Sequence, residues 1–404
     1  MAETSDVASR RPPSPDAPPA RPSRWNDPNF RALVFQGITL GGVILFAIFL
    51  VNNTMANLER QGIASGFGFL DDTAGFSIGT SLIPYQEENS YGRAFLVGLL
   101  NTLLVSVIGV VLATLMGFIV GVARLSKNWL ISQIAMVYVE VIRNLPLLLQ
   151  LFFWYFAVLR ALPSPRDSIP LWESFFLNNR GFSVPRPLPE ADFWLIPVAL
   201  LVAIAASFLV ARTAKRRQDL TGEQFPVLSA NIGMIIGLPL LAAVLTGFPL
   251  HWEYPELRGF NFQGGITLIP ELVSLVLALT IYTASFIAEI VRAGILSVSK
   301  GQTEAAYSVG LQPGLTLRKV IIPQALRVII PPLTSQYLNL TKNSSLAAAI
   351  AYPDLVLIFA GITLNQTGQA VEVIGITMAV YLTISLSISL FMNTYNERMA
   401  LVER

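Results

Sequence analysis

The sequence predicts an all-α, polytopic membrane protein with about eight transmembrane helices, and three observations lead to this prediction. The chain has 404 residues, of which 53% are hydrophobic and only 13% are charged, whereas soluble domains carry about 25% charged residues. The apolar residues form blocks of about 20 residues, the length that crosses a hydrocarbon core of roughly 30 Å. These blocks are too long and too continuous for the strands of a membrane barrel.

The candidate spans follow from the apolar runs. The first run begins too late and is too long for the core of a cleaved signal peptide, so an uncleaved first span is favoured over that alternative. Pro331, Pro332 and Pro353 interrupt the pattern near the end of the chain, so the last two spans are the least certain. The predicted spans are 33–51, 94–123, 132–159, 194–211, 232–248, 266–296, 328–349 and 372–395.

The distribution of basic residues predicts the orientation. Residues 1–30 hold seven prolines and few large apolar residues, so they are predicted to form a disordered tail. With this tail inside, 17 of the 27 basic residues lie on the cytoplasmic side and six lie outside. The run Arg-Thr-Ala-Lys-Arg-Arg at 212–217 contributes most. The positive-inside rule therefore places both termini in the cytoplasm.

Several kinds of chemistry are excluded by residues that the sequence lacks. There is no Cys, which excludes disulfides and thiolate metal sites, and His251 is the one histidine. No Gly-x-x-x-x-Gly-Lys-[Ser/Thr] pattern occurs, so the chain cannot hydrolyse ATP by a P-loop mechanism. We therefore expect a non-catalytic protein that binds no cofactor or metal itself, and nothing indicates a nucleic acid partner.

A polar segment at about 300–326 separates two apolar spans and is predicted to be cytoplasmic. The stretch 302–309 has no Gly or Pro and is predicted to form a short helix, with Glu304 in its first turn, where the helix dipole favours an acid. Gly310 is a natural end for this helix, and Pro313 prevents its continuation. From these residues alone, an ordinary connecting loop is an equally good interpretation.

Ionisable and polar residues also occur inside predicted spans, where they are costly. Glu140 and Arg143 are three residues apart, as are Glu289 and Arg292, so two ion pairs within helices are predicted. A dense polar run begins at Lys342 and is expected to face a cavity or a partner helix. Hydrogen bonding between helices and a substrate pathway explain it equally well. The pathway candidates are Thr341, Asn343, Ser344 and Ser345, with Gln150 as a weaker fifth.

The polar segment resembles the EAA loop of ABC-importer permeases, most closely the loop of the polar amino acid uptake subfamily. Four further stretches, 99–102, 138–150, 282–294 and 342–346, are similar to that subfamily, although Asn144-Leu145 stands where it usually has Gly-Thr. The resemblance implies a short helix that docks on an ATPase subunit. The residues that carry this implied coupling role are Gln302, Glu304, Ala305, Ala306, Gly310 and Pro323.

The resemblance covers about 94–160 and 266–396, and it implies the transmembrane fold of type I ABC importers. Two parts lie outside it. These are an extra first helix with an outer segment at 31–93, and an insertion at 161–265 with two helices. This enlarged layout is similar to one permease subunit of the general L-amino acid importers of Gram-negative bacteria. The implied core is therefore 94–160 and 266–404.

The resemblance implies ATP-driven uptake of L-amino acids across the bacterial inner membrane by alternating access. The implied partners are a second, homologous permease subunit, two ATPases that bind ATP and Mg, and a periplasmic amino-acid-binding protein. Two other classes of protein remain open on the residues alone. An ATP-independent secondary amino acid transporter would also carry polar residues at membrane depth. A non-transporting membrane scaffold would need neither these polar residues nor a short cytoplasmic helix.

Overall fold

The computed structural model describes residues 25, 27–60, 62 and 65–399, so most of the predicted tail lies outside the described residues. The chain divides into two units, 1–66 and 67–404. The first unit contains helix α1 (Pro28–Arg60), with 33 residues and no charge between Arg31 and Glu59. A helix of this length and composition suits a membrane span.

The second unit consists mainly of helices, as predicted. A 3-10 helix at Ser344–Ile350 and a π-helix at Val356–Thr363 follow α10, and a π-helix at Phe153–Leu159 continues α4. The α-helices are α2 (Tyr91–Ala123), α3 (Trp129–Asn144), α4 (Leu147–Phe152), α5 (Leu195–Thr221), α6 (Val227–Leu245), α7 (Pro270–Leu296), α8 (Lys300–Ser308), α9 (Pro313–Thr316), α10 (Ile322–Asn343), α11 (Leu364–Thr367) and α12 (Ala370–Met399).

The number of candidate spans is slightly smaller than predicted. In the described part of the chain, six helices are long and apolar enough to cross a membrane, or seven if the bent pair α3 and α4 counts as one span. Helix α10, which covers most of the predicted span 328–349, does not meet this criterion of apolar length. Helix α10 ends at Asn343 within this stretch, and its last turns carry the polar run. Its composition therefore differs from that of a lipid-facing span.

Proline breaks one predicted span but leaves another helix intact. The predicted span 132–159 is two helices, which meet at an angle of 106° across Leu145 and Pro146. Pro331 and Pro332, by contrast, lie inside α10 without ending it. Proline removes one backbone donor in either setting, so the packing around each site decides whether the helix continues.

Helix α7 lies at the centre of the second unit, with 56% of its most apolar stretch buried. Helix α2 packs closely along it. A Cβ on Gly121 would lie 2.7 Å from the carbonyl oxygen of Ala288, and one on Gly117 would lie 2.5 Å from Ile287 Cγ2. Residues without a side chain are therefore required where these helices meet.

Short strands occupy the two segments that flank the pair of helices α5 and α6, so the prediction of a purely helical chain is incomplete there. Four strands form one antiparallel sheet in the order β1-β2-β3-β8, while β4 pairs with β5 and β6 with β7. Phe182 pairs with Leu268, which joins β3 to the strand directly before α7. The strands are β1 (Ile169–Leu171), β2 (Phe175–Asn178), β3 (Gly181–Val184), β4 (Arg186–Pro189), β5 (Leu250–Glu253), β6 (Glu256–Arg258), β7 (Asn261–Gln263) and β8 (Ile266–Leu268).

The hairpin of α5 and α6 packs chiefly against itself and is expected to be dispensable for folding. Strands β4 and β5 pair Pro189 with Leu250 at its base, so residues 190–249 can be replaced by an Asn-Gly turn. The shortened chain should unfold in detergent within about 4 °C of the full chain. Gly121→Val, which places a branched side chain between α2 and α7, should lower Tm by more. A shortened chain that fails to accumulate in the membrane would contradict this view of the hairpin.

Candidate functional site

The predicted short helix is present in the polar segment, as α8. It runs from Lys300 to Ser308, and therefore starts two residues earlier than expected. Gly310 follows with φ +79°. Leu311 N donates to Ala306 O at 3.0 Å, and Gly310 N donates to Tyr307 O at 2.9 Å. This is a Schellman motif, in which a residue with positive φ lets the chain satisfy the last carbonyls of a helix.

Most of α8 is exposed, although the helix belongs to a predominantly apolar chain. Glu304 and Ala305 are exposed, as are Tyr307 (49%) and Val309 (77%), whereas Ala306 is buried. Because α8 starts at Lys300, Glu304 lies in its second turn rather than in the predicted first turn. None of the ion pairs that join described residues involves Glu304. Its carboxylate is therefore free to meet another molecule.

A side-chain contact ties α8 to the start of α10. Gln324 Nε2 donates to Gln302 Oε1 at 3.1 Å. Pro323 is the second residue of α10, which continues directly from a π-helix at Leu317–Ile321. The structure thus brings five of the six predicted coupling residues into α8 and the turn after it, and it places the sixth at the head of α10.

One of the two ion pairs predicted within helices is present in the structure. Arg292 Nη2 lies 2.6 Å from Glu289 Oε1, and Arg124 at the end of α2 also contacts Glu289. The predicted pair of Glu140 and Arg143 is wrong, because no ion pair joins these two described residues. The Arg143 guanidinium lies over the ring of Phe286 instead, 5.0 Å from its centre, where the face of the ring attracts a cation.

The polar run lies at the end of α10, where the helix changes to 3-10 geometry at Ser344. Thr341 and Ser344 are buried, with 1% exposure each. Their hydroxyls donate to backbone carbonyls, Thr341 Oγ1 to Tyr337 O at 3.0 Å and Ser344 Oγ to Thr341 O at 2.7 Å. Ser345 does the same, to Lys342 O at 2.7 Å. These hydroxyls keep their acceptor lone pairs for another group.

Part of this run lines an open cavity of about 460 Å³. Lys342 is exposed, while Asn343 and Ser345 are half-buried. A cavity of this size falls within the range of small-molecule sites. It combines one cationic side chain with several hydroxyls, the groups that would bind a carboxylate. The lining residues are Lys342, Ser345, Val356, Thr377, Met378, Tyr381, Leu382 and Ser385.

Gln150 has a structural role in this fold. Its Nε2 donates to Ile142 O and Leu145 O, both at 3.0 Å, and thereby satisfies carbonyls at the end of α3. Gln150 is 6% exposed and shares no hydrogen bond with the polar run in the described part of the chain. Gln150 stabilises the bend between α3 and α4. These hydrogen bonds do not support its predicted place in a substrate pathway.

One buried acid had no predicted role. Asp354 is 1% exposed and lies between the 3-10 helix and the π-helix that follow α10. Asn101 and Thr102, which belong to a matching motif but had no assigned role, bond to the backbone on either side of it. The sequence feature that could have revealed this site is an acid next to Pro353 in an otherwise apolar stretch.

Comparison with known proteins identifies the family of the chain. Residues 109–400 match the family described as the binding-protein-dependent transport system inner membrane component. The putative amino-acid ABC transporter permease protein YhdX of Escherichia coli K12 is 56% identical over 378 residues, which are 94% of this chain and 96% of that protein. The general L-amino acid transport system permease protein AapQ of Rhizobium johnstonii is 51% identical over 96% of this chain and 98% of its own.

A third relative and one solved structure extend the comparison. The glutamate/glutamine/aspartate/asparagine transport system permease protein BztB of Rhodobacter capsulatus is 44% identical over 94% of this chain and 96% of its own. The crystal structure of an amino acid ABC transporter with histidines shares 23% identity at a TM-score of 0.46, over 76% of this chain and 95% of that chain. The family match spans more than half of the sequence, and the three relatives cover nearly all of it. The chain therefore belongs to the inner-membrane components of binding-protein-dependent transport systems.

Proposed function

We propose that this chain is a permease subunit of an ATP-driven importer and carries L-amino acids across the bacterial inner membrane by alternating access. The observation that supports this most is the exposed helix α8, whose Glu304 forms no ion pair with any described residue. A short rigid helix between two longer ones transmits motion better than a flexible loop. The names of YhdX, AapQ and BztB support amino acids as the substrate class.

In this proposal α8 docks on an ATPase subunit, which binds ATP and Mg. Exposed apolar and acidic side chains on one short helix suit such a protein contact, because the same surface mixes anchor residues and a charge. Gln302, Glu304, Ala305, Ala306 and Gly310 form or end the helix, and Pro323 lies near the start of α10, the helix that receives its motion. A second, homologous permease subunit and a second ATPase complete the membrane assembly.

The substrate pathway of this proposal runs past the end of α10. Lys342 would bind the carboxylate of a zwitterionic amino acid, and Asn343 and Ser345 would supply further polar contacts. The open cavity beside these residues supports this assignment. The buried hydroxyls of Thr341 and Ser344 keep the change from α to 3-10 geometry in place by bonding to the backbone.

The orientation and the outer surface are also part of the proposal. The basic run at 212–217 supports cytoplasmic termini, which puts α8 inside the cell and strands β1 to β8 outside. A periplasmic amino-acid-binding protein would then meet the outer strands. We assign the segment 31–93 to an extra first helix with its outer segment. We assign 161–265 to an insertion, and 94–160 together with 266–404 to the transport core.

Purification of the intact complex tests the proposed function. The chain, extracted from the membrane in mild detergent, should co-elute with an ATPase and a second permease, and uptake in vesicles should require ATP inside. A secondary transporter predicts the opposite result, because it needs no ATPase and follows an ion gradient. Uptake that survives removal of ATP but stops when the gradient collapses would therefore contradict the proposal.

Gly310 provides a prediction about coupling. Gly310→Asp should lower the ratio of uptake to ATP hydrolysis roughly fivefold, because it puts an acid at the negative end of the α8 dipole beside the docking surface. Gly310→Asn is the matched control, since Asn and Asp both tolerate positive φ and differ in charge. The space around Gly310 is open, so both variants should fold. Equal coupling in the two variants would contradict a role of charge at this end of α8.

A further inference from the structure

Asp354 occupies a buried position that none of the roles above uses. Its Oδ1 accepts a hydrogen bond from Leu357 N at 2.8 Å and so caps the helical segment that starts after it. Thr102 Oγ1 on α2 accepts from Leu355 N at 3.0 Å, and Asn101 Nδ2 donates to Pro353 O at 2.8 Å. Two residues of α2 therefore hold the backbone on both sides of the acid.

The second carboxylate oxygen has no such partner. Asp354 Oδ2 is buried without a hydrogen bond of acceptable geometry among the described residues, and the hydroxyl of Tyr381 on α12 is in the same condition. The two groups lie beside each other, and the Tyr381 hydroxyl also lies beside those of Ser344 and Thr102. Buried polar atoms are rarely left unpaired, so a pair of them in contact calls for an explanation.

Tyr381 connects this buried acid to the open cavity. Its hydroxyl points into the protein, towards Asp354, while the residue forms part of the cavity wall that also contains Lys342 and Ser345. A tyrosine that is anchored at its hydroxyl has a fixed ring, because only two torsions separate the ring from the backbone. The side chain of Tyr381 thus lies between the carboxylate of Asp354 and the proposed pathway.

We infer that Asp354 is a positioning residue of the transport pathway, which holds the phenol of Tyr381 so that its ring shapes the wall of the cavity around Lys342. This inference rests on the proposed function. It differs from a purely capping role in one respect: capping requires only Oδ1, whereas positioning requires the charge at Oδ2. The two roles can therefore be separated by substitution.

Kinetics of uptake in vesicles that contain the whole complex test this inference. Asp354→Asn keeps the volume and the cap, since Asn caps helices as well as Asp, and Tyr381→Phe keeps the ring. Each variant should raise KM by about tenfold to a hundredfold, the effect of losing one hydrogen bond to a charged group, with kcat nearly unchanged. The double variant should be no worse than either single variant, because both changes remove the same interaction.

Tyr395→Phe, on the same helix, is the matched control and should leave KM unchanged. A normal KM in Asp354→Asn together with loss of protein in Asp354→Ala would overturn the inference in favour of capping alone. Additive effects in the double variant would also overturn it. If Asp354→Asn does not reach the membrane, Tyr381→Phe decides, and a normal KM there overturns the inference.

Failure of the proposed function would look different. The unaltered complex would then show no ATP-dependent uptake and no co-eluting ATPase, and the inference would fall with it. Failure of the positioning role alone would leave ATP-dependent uptake intact in every variant, with KM independent of residues 354 and 381.

Discussion

Reversing the charge of Glu304, in the variant Glu304→Lys, is expected to lower uptake by at least about tenfold. The side chain is exposed on α8 and pairs with no other described residue of the chain. Its replacement should therefore leave folding and membrane insertion unchanged, since exposed substitutions away from special features alter stability little. A loss of uptake would then come from the contact between α8 and its partner.

Three measurements check this prediction: the amount of chain in the membrane, the amount of co-purified ATPase, and uptake in vesicles. Glu223→Lys is the matched control, because Glu223 is also exposed and lies in the connection between α5 and α6. Only Glu304→Lys should reduce both the retained ATPase and the uptake. Uptake at the normal rate with the full amount of ATPase would show that α8 does not dock through this side chain.

Removing the charge of Lys342, in the variant Lys342→Met, is expected to raise the KM of uptake by more than about tenfold. Lys342 lines the open cavity and forms no ion pair within the described part of the chain. A zwitterionic substrate brings one carboxylate, and an unpaired cation in a largely apolar wall is the natural partner for it. The rival explanation is stabilisation of the α10 C-terminus by a cation.

Two further variants separate these explanations. Lys342→Arg keeps the charge and should keep most of the affinity, whereas Lys215→Met removes an exposed cation from α5 and should change nothing. Asn343→Leu should raise KM less than Lys342→Met, because Asn343 is half-buried and carries no charge. If Lys342→Met lowered Tm in detergent but left KM unchanged, Lys342 would stabilise the C-terminus of α10 and would not bind the substrate.

Features with a strong local cause could be predicted from the sequence. The short helix was expected at 302–309 and is found at Lys300–Ser308, because Gly310 supplies a stop that needs no distant contact. Six of the predicted spans coincide with long apolar helices, since apolar composition over about 20 residues is a robust signal. The ion pair of Glu289 and Arg292 follows from spacing on a single helix.

Features that depend on distant residues were not predicted. The strands have three or four residues each, too few for an alternating pattern. Pro146 breaks a span while Pro331 does not, because neighbouring groups decide the outcome. Arg143 contacts the ring of Phe286 on α7 and not Glu140 on its own helix, α3. The role of Asp354 becomes visible only when α2, α10 and α12 are packed together.

The most direct measurement of the central claim is a crosslink from Ala305. The natural chain has no cysteine, so Ala305→Cys creates a single thiol on the exposed face of α8. A photo-crosslinker attached to that thiol in the intact complex should capture an ATPase subunit, which mass spectrometry would identify. Labelling of the thiol by a membrane-impermeant reagent from outside the cell, or capture of no ATPase, would contradict the proposal that a partner's ATP hydrolysis drives this permease through α8.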